Sequence, residues 1–147
     1  MSLVKDAPHT EITYKVIGAA MAVHNELGPG HREEVYHNAL ALKMIQEPFS
    51  LAFESECQLP VYNSDGNLIY VYRPDFSVEN AVLVEIKAHH QPLNADEVAQ
   101  VLDYFAASDF QVALLINFGR QRLDWQRLFP PEHIQARQKI RMQSNKP

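Results

Sequence analysis

The stretch Ala81-Val82-Leu83-Val84-Glu85-Ile86-Lys87 begins apolar and ends on two opposite charges. Its β-branched and aliphatic residues predict a strand. Asn94 then offers a helix N-cap, with Glu97 three residues on as in a capping box. Val98, Val101, Leu102 and Phe105 recur at helical spacing and give that helix an apolar stripe. Gln111 to Phe118 returns to strand, and its core from Val112 to Ile116 lacks polar alternation, as a strand covered on both faces does. Strand, helix and strand over residues 81–118 make a βαβ crossover, which is right-handed and joins parallel strands.

Before this unit the period alternates between helix and strand. Thr10 can cap a first helix, along which Ile12, Val16, Ile17, Ala20 and Val23 repeat at helical spacing. Gly28-Pro29-Gly30 ends it, because the glycines tolerate unusual φ values and the proline cannot continue a helix. A second helix is expected from His31 to Gln46, stopped by Pro48. Phe49–Phe53 and Gln58–Tyr62 read as short strands, and the turn cluster Asn63-Ser64-Asp65-Gly66-Asn67 carries a hairpin signal. Leu68–Tyr72 returns, extended by Asp75–Val78 past an irregularity at Pro74, and Glu79-Asn80 is a second tight turn. After the crossover, Leu123–Phe129 adds an edge strand. The segment from Pro130, with Arg137, Lys139, Arg141 and Lys146, reads as a short helix or frayed tail. The expected fold is α/β: a mixed β-sheet, built from an antiparallel meander and the crossover, flanked by helices. Residues 1–9 are then an N-terminal extension, 10–129 the domain and 130–147 a polar C-terminal tail.

Composition bounds the chemistry. The 147 residues suit one domain, and 46% hydrophobic with 21% charged residues is ordinary for a soluble globular fold. No apolar run reaches the roughly 18 residues of a membrane helix, so no membrane partner is expected. Met1–Thr10 lacks a signal-peptide pattern, and a cytoplasmic location follows as the default. Cys57 is the sole cysteine, which excludes an intrachain disulfide and a cysteine-based zinc site. Thirteen Lys and Arg against eighteen Asp and Glu give a net charge of −5. That balance argues against a non-specific DNA coater. It leaves room for an enzyme that gathers acids around metal ions, with positive charge collected late, from Arg120 to Lys146. There is no GxGxxG or phosphate loop and no G-x-S-x-G elbow, and Cys57 lacks an identifiable base partner.

Pro74-Asp75 and Glu85-Ile86-Lys87 hold the remaining chemistry. Pairing across Glu79-Asn80 brings Asp75 and Glu85 onto neighbouring strands, and Glu85 and Lys87, two apart, share a face. Two carboxylates and an ammonium on one patch are costly unless compensated. Mg²⁺ would compensate, since it often uses one or two protein carboxylates plus water and phosphate. A cross-strand Glu–Lys salt bridge on a solvated face is the ordinary alternative, and spacing alone favours it.

Asp75…Glu85-x-Lys87, with Pro74 ahead of it, resembles the signature of the PD-(D/E)xK nucleases. Gly30-His31-Arg32-Glu33-Glu34-Val35-Tyr36 matches the GxxExxY pattern of a small bacterial family in that superfamily. Ile17–Ala20 through Val23–Gly30 is similar to the family's opening helix, and Leu114-Leu115-Ile116-Asn117-Phe118 to its last core strand. The resemblance spans about residues 10–129. It implies a restriction-endonuclease-like core and metal-dependent hydrolysis of phosphodiester bonds in DNA or RNA. Asp75 and Glu85 would bind Mg²⁺ or Mn²⁺ with the Ile86 carbonyl as a third ligand. Lys87 would position or activate water. Glu33 corresponds to a helical acid that helps hold a metal or its water; otherwise it is a glutamate favoured by the helix N-terminus. Gln100-x-x-x-Tyr104 resembles a motif of the exonuclease-like branch, the glutamine beside the active site and the tyrosine on substrate. Without that likeness an ordinary amphipathic helix with a semi-exposed tyrosine is an equally good reading. Tyr36, His24 and Arg73 complete the expected substrate-contacting set, although a lone histidine is more often structural and Arg73 could simply pair with an acid. His37 is expected at the surface, and His89-His90 point apart on extended chain, which argues against zinc.

Two readings follow. In the first the chain is a metal-dependent nuclease. In the second it is an inactive module of the same fold that binds nucleic acid or a protein partner. The expected hold on nucleic acid is weak, and a homodimer accords with either reading.

Overall fold

The computed structural model describes residues 7–144. The start of the N-terminal extension, through residue 6, and Lys146 of the tail lie outside them. Helices α1 (Thr10–Leu27) and α2 (Glu33–Met44) precede strands β1 (Phe53–Ser55), β2 (Leu59–Tyr62), β3 (Leu68–Tyr72), β4 (Phe76–Val78) and β5 (Val82–Lys87). Helix α3 (Ala95–Ala106), strands β6 (Val112–Asn117) and β7 (Asp124–Leu128) and helix α4 (Glu132–Ser144) follow. Five strands form one mixed sheet in the order β1-β4-β5-β6-β7, in which only β5 and β6 run parallel.

The central pair explains the layers. Residues of a strand alternate between faces. Val82, Val84 and Ile86 of β5 and Val112, Leu114 and Ile116 of β6 share one core with Val16, Ala20 and Val23 of α1 and Tyr36, Leu40 and Met44 of α2. Leu83, Ala113 and Leu115 point the other way and pack against Val101, Tyr104 and Phe105 of α3. The apolar run of β6 is thus buried on both faces, as its lack of alternation predicts. On β5 the α3-facing row continues from Leu83 into Glu85 and Lys87, so the charged end of the strand emerges beneath α3.

The α3 capping box is present: Asn94 Oδ1 accepts from the Glu97 N–H, and Glu97 Oε1 accepts from the Asn94 N–H. Thr10, in contrast, does not cap α1. His9 occupies the N-cap without a side-chain bond, and the Thr10 hydroxyl donates back to the Ala7 carbonyl at 2.8 Å. Between α1 and α2, Gly28 and Gly30 adopt φ of +68° and +112°, which glycine reaches without Cβ strain.

The meander differs from its expected form. β2 and β3 pair only with each other and make a separate two-stranded sheet. The chain breaks at Arg73-Pro74-Asp75, where proline removes a ladder donor, and then re-enters the main sheet as β4. β1 begins only at Phe53 and pairs with β4, Phe53 opposite Val78. The C-terminal segment is a docked helix and not a frayed tail. Gln138, buried within α4, donates to the carbonyls of Phe105, Ser108 and Phe110, and Arg141 donates to those of Ala106 and Ser108. Those carbonyls lie in the last turn of α3 and just beyond it, where a helix leaves acceptors unsatisfied. Among the described residues no helix is long and apolar enough to cross a membrane.

One close approach ties the ends of β5 and β6 together. A Cβ added to Gly119 would lie 2.3 Å from the His89 nitrogen and 2.5 Å from its oxygen, both backbone atoms. Gly119→Ala is therefore expected to destabilise the fold by about 1–3 kcal/mol, the usual range for overpacking. Urea unfolding measures this, and an unchanged midpoint would contradict the close packing of the two segments.

Candidate active site

The β4–β5 register sets Phe76 opposite Val84, which carries Asp75 to the side of Glu85 just past the end of the ladder. Two main-chain donors hold the pair: the Ile86 N–H donates to Asp75 Oδ2 at 2.7 Å, and the Asp75 N–H points to Glu85 Oε1 at 3.3 Å. From above, α3 supplies Gln100 and Tyr104, one helical turn apart and on one face. The Tyr104 hydroxyl donates to Glu85 Oε1 at 3.0 Å. Lys87 Nζ donates to Gln100 Oε1 at 2.9 Å and lies 3.5 Å from Glu85 Oε2.

On the opposite side α2 supplies Glu33 and His37. His37 Nδ1 is 2.9 Å from Asp75 Oδ1 and Nε2 is 2.8 Å from the Ser55 hydroxyl. Its ring stacks on Phe76, with centroids 4.3 Å apart. The imidazole is thereby clamped on three sides and fixes the orientation of the Asp75 carboxylate. Glu33 and Asp75 line one open cavity of about 470 Å³ together with His37, Ser55 and Glu56. Among the described residues the Glu33 carboxylate has no hydrogen bond or ion pair.

The electrostatics follow from this crowding. Burial pushes the Glu85 carboxyl up from 4.5 to about 7, and the neighbouring Asp75 charge adds to the rise. Lys87 and the Tyr104 hydroxyl pull it back. Glu33 is exposed as a residue, but partial desolvation of its carboxyl raises it too, with Lys87 opposing and Asp75 adding to the shift. The Tyr104 hydroxyl is raised by burial and by Glu85, so it stays protonated and keeps donating.

Residues 10–128 match the family model described as the PD-(D/E)XK nuclease superfamily. The chain belongs to this superfamily. Its fold is also similar to a solved structure described as "Crystal structure of SSO0001", with a TM-score of 0.51 and 17% identity over 76% of this chain. The chain spans 57% of that protein's length, and at this identity the likeness concerns the fold alone. Among curated proteins nothing matches significantly.

PD-(D/E)XK nucleases generally use divalent metals. Among the described residues no group of three or more His, Cys, Asp and Glu side chains is arranged to hold an ion. The donor set here is smaller: the two adjacent carboxylates of Asp75 and Glu85. That set fits a hard cation that takes one or two carboxylates and completes its shell with water, and it does not fit a closed protein cage.

The other expected residues take different places. Tyr36 is fully buried; its hydroxyl donates to the Gly28 carbonyl at 2.6 Å and accepts from the His31 N–H at 3.2 Å, and its ring stacks on Phe118 at 4.8 Å. It shapes the α1–α2 loop and offers no surface to substrate. Tyr104 is also buried, with its hydroxyl committed to Glu85, so its contact is with a site acid. His24 is buried with Nε2 2.8 Å from the Arg120 carbonyl, an anchor for the β6–β7 loop. Arg73 is exposed and has no polar partner among the described residues. Ile86 meets the site through its N–H. His89 is engaged by Glu97 at 2.6 Å and by the Gln91 carbonyl at 2.8 Å, whereas His90 is exposed. Cys57 is buried, and burial raises its thiol to about 11, so it is no nucleophile.

His37 is the residue that sequence reasoning missed. Its position four after Glu33 on one helix was the available signal, since residues so spaced share a face.

The Glu85 shift has a consequence for stability. The folded protein keeps the Glu85 proton at pH values where the unfolded chain has lost it, so this group's contribution falls as pH rises from about 4.5 through 7. Without divalent metal, the stability gap of Glu85→Gln over wild type should widen across that window by roughly 2–3 kcal/mol, at about 1.4 kcal/mol per pH unit. Urea unfolding in chelator from pH 5 to 8 measures it; a gap that stays flat would show Glu85 already ionised at pH 5.

Proposed function

We propose that the protein is a divalent-metal-dependent phosphodiesterase that cleaves nucleic acid, DNA or RNA. The observation that carries this reading is the convergence of Asp75, Glu85 and Lys87 at the ends of two adjacent strands. The Gly30…Glu33…Tyr36 spacing supports placing it in the GxxExxY branch.

Asp75 and Glu85 would hold the ion, with the Ile86 carbonyl as a further ligand and Glu33 supporting a second ion or the water network. A bound divalent ion supplies Lewis acidity toward a phosphoryl oxygen and makes water easier to deprotonate. The protein's own groups do the rest. Lys87, held between Glu85 and Gln100, is placed to orient the attacking water and to offset negative charge gathering on the phosphoryl group. Gln100 limits where the ammonium can sit. Tyr104 keeps Glu85 Oε1 turned toward the Asp75 backbone, and His37 with the Ile86 N–H keeps Asp75 from rotating. Such positioning is what makes a small set of charges effective, because little reorganisation remains when the reaction begins. A homodimer accords with this reading for a double-stranded substrate, since one copy would address each strand.

Purified protein incubated with single- and double-stranded DNA and RNA in Mg²⁺ or Mn²⁺ should cleave at least one of them. Lys87→Ala should lower the rate by about 10²–10⁴-fold, the usual loss of a positioned proton-transfer or charge-stabilising group. No cleavage above the Lys87→Ala level on any substrate would overturn the reading and favour a binding module of the same fold.

A further inference from the structure

Beside the acid cluster is a second cavity, of about 590 Å³, whose lining includes Gly30, His90, Arg120, Arg122 and Asp124. Three segments make its walls: the α1–α2 loop, the chain after β5, and the β6–β7 loop. Each is held by a buried polar side chain whose hydrogen bonds go to loop backbone and not to Asp75, Glu85 or Lys87. Tyr36 binds both Gly28 and His31 of the first loop. His24 holds the Arg120 carbonyl of the third. Asn117, wholly buried, joins the second and third: its Oδ1 accepts from the His89 and Gly119 N–H groups, and its Nδ2 donates to the carbonyls of His89 and Gln91. Burying polar groups is costly unless they are bonded, and here the bonds all serve to fix the shape of one rim.

The rim is rich in unused donors. Arg122 and His90 are exposed and have no hydrogen bond or ion pair among the described residues. Arg120 is only loosely paired with Asp124, at 3.8 Å, and that carboxylate also accepts from the Leu93 N–H at 3.1 Å. The two guanidinium groups outnumber the single carboxylate, in a chain whose net charge is −5. An anion with several acceptor oxygens is the ligand that such donors recognise.

The cavity is also close to the acid cluster. His90 is three residues beyond Lys87, and Gly30 three before Glu33, so each is at most about 10 Å along the chain from a site residue. We propose that this cavity receives a backbone phosphate of the nucleic acid, a few nucleotides from the bond being cut, with Arg122 as its principal contact. The inference rests on the nuclease reading above and names the part of the protein that grips the strand.

The test uses the full chain in a Lys87→Ala background, so that the strand survives, with fluorescently labelled oligonucleotides in Mg²⁺ at several salt concentrations. Arg122→Ala should weaken binding roughly 10-fold, the loss of one charge-assisted contact. It should also reduce the slope of log affinity against log salt by about one. Arg137→Ala, which removes the same charge from an exposed position on α4, should change neither. In the active protein Arg122→Ala should raise KM and leave kcat in place. If Arg122→Ala and Arg137→Ala behave alike while oligonucleotide is still bound and cut, the cavity is not the grip and the nuclease reading survives. If the wild-type chain neither binds nor cuts any oligonucleotide, both fall.

Discussion

A buried carboxylate placed against a second carboxylate is the constraint around which this protein is organised. Glu85 continues the row of β5 side chains that packs under α3, and Asp75 is brought to its side by the β4–β5 register. Left alone, such a pair would push the strand ends apart. The fold answers with donors from four directions: the backbone of Asp75 and Ile86, Lys87 from the sheet, Tyr104 from α3, and His37 from α2. Both flanking helices are therefore committed to the same few ångströms. The central sheet must be rigid at this point, and burial of β5 and β6 on both faces supplies that rigidity.

The polar residues of the domain divide by task. Those around Asp75 and Glu85 hold charge in place. Tyr36, His24 and Asn117 hold loops in place, and they do so from inside the core, where a bonded polar group is difficult to displace. Gly119 belongs with them, since only a residue without a Cβ allows the β6 end to lie on the His89 backbone. The result is an acid cluster and a basic rim on adjoining parts of one surface, each supported by its own buried scaffold. A net charge of −5 is compatible with handling a polyanion when positive groups are set locally beside the acids a metal would neutralise.

Much of this was legible in the sequence. The crossover from 81 to 118 was readable because its period switches cleanly and its capping box is local. Asp75, Glu85 and Lys87 were readable because strand alternation and one tight turn are short-range rules. His37 was not, since nothing in its neighbourhood announces that Asp75 will arrive from 38 residues away. Tyr36 and Tyr104 were taken for substrate contacts because a tyrosine's spacing does not say whether its hydroxyl ends in solvent or against a carbonyl or carboxylate. The segment from Pro130 was read as a short helix or a frayed tail because it is polar and basic; it is a helix, and its anchor is a buried glutamine, which no hydrophobic pattern reveals.

By itself the sequence determined most of the elements, the parallel pairing at the centre of the sheet, and the three charged residues at its end, because these follow from local periodicity, one tight turn and the right-handed rule for a strand–helix–strand crossover. The tertiary structure alone decided which side chains meet those charges, that the β2–β3 hairpin leaves the main sheet, and that two loops and the chain after β5 form a basic rim beside the acids. These outcomes rest on residues tens of positions apart. Their pairing is set by how the helices pack on the two faces of the sheet, and local periodicity carries no record of that packing.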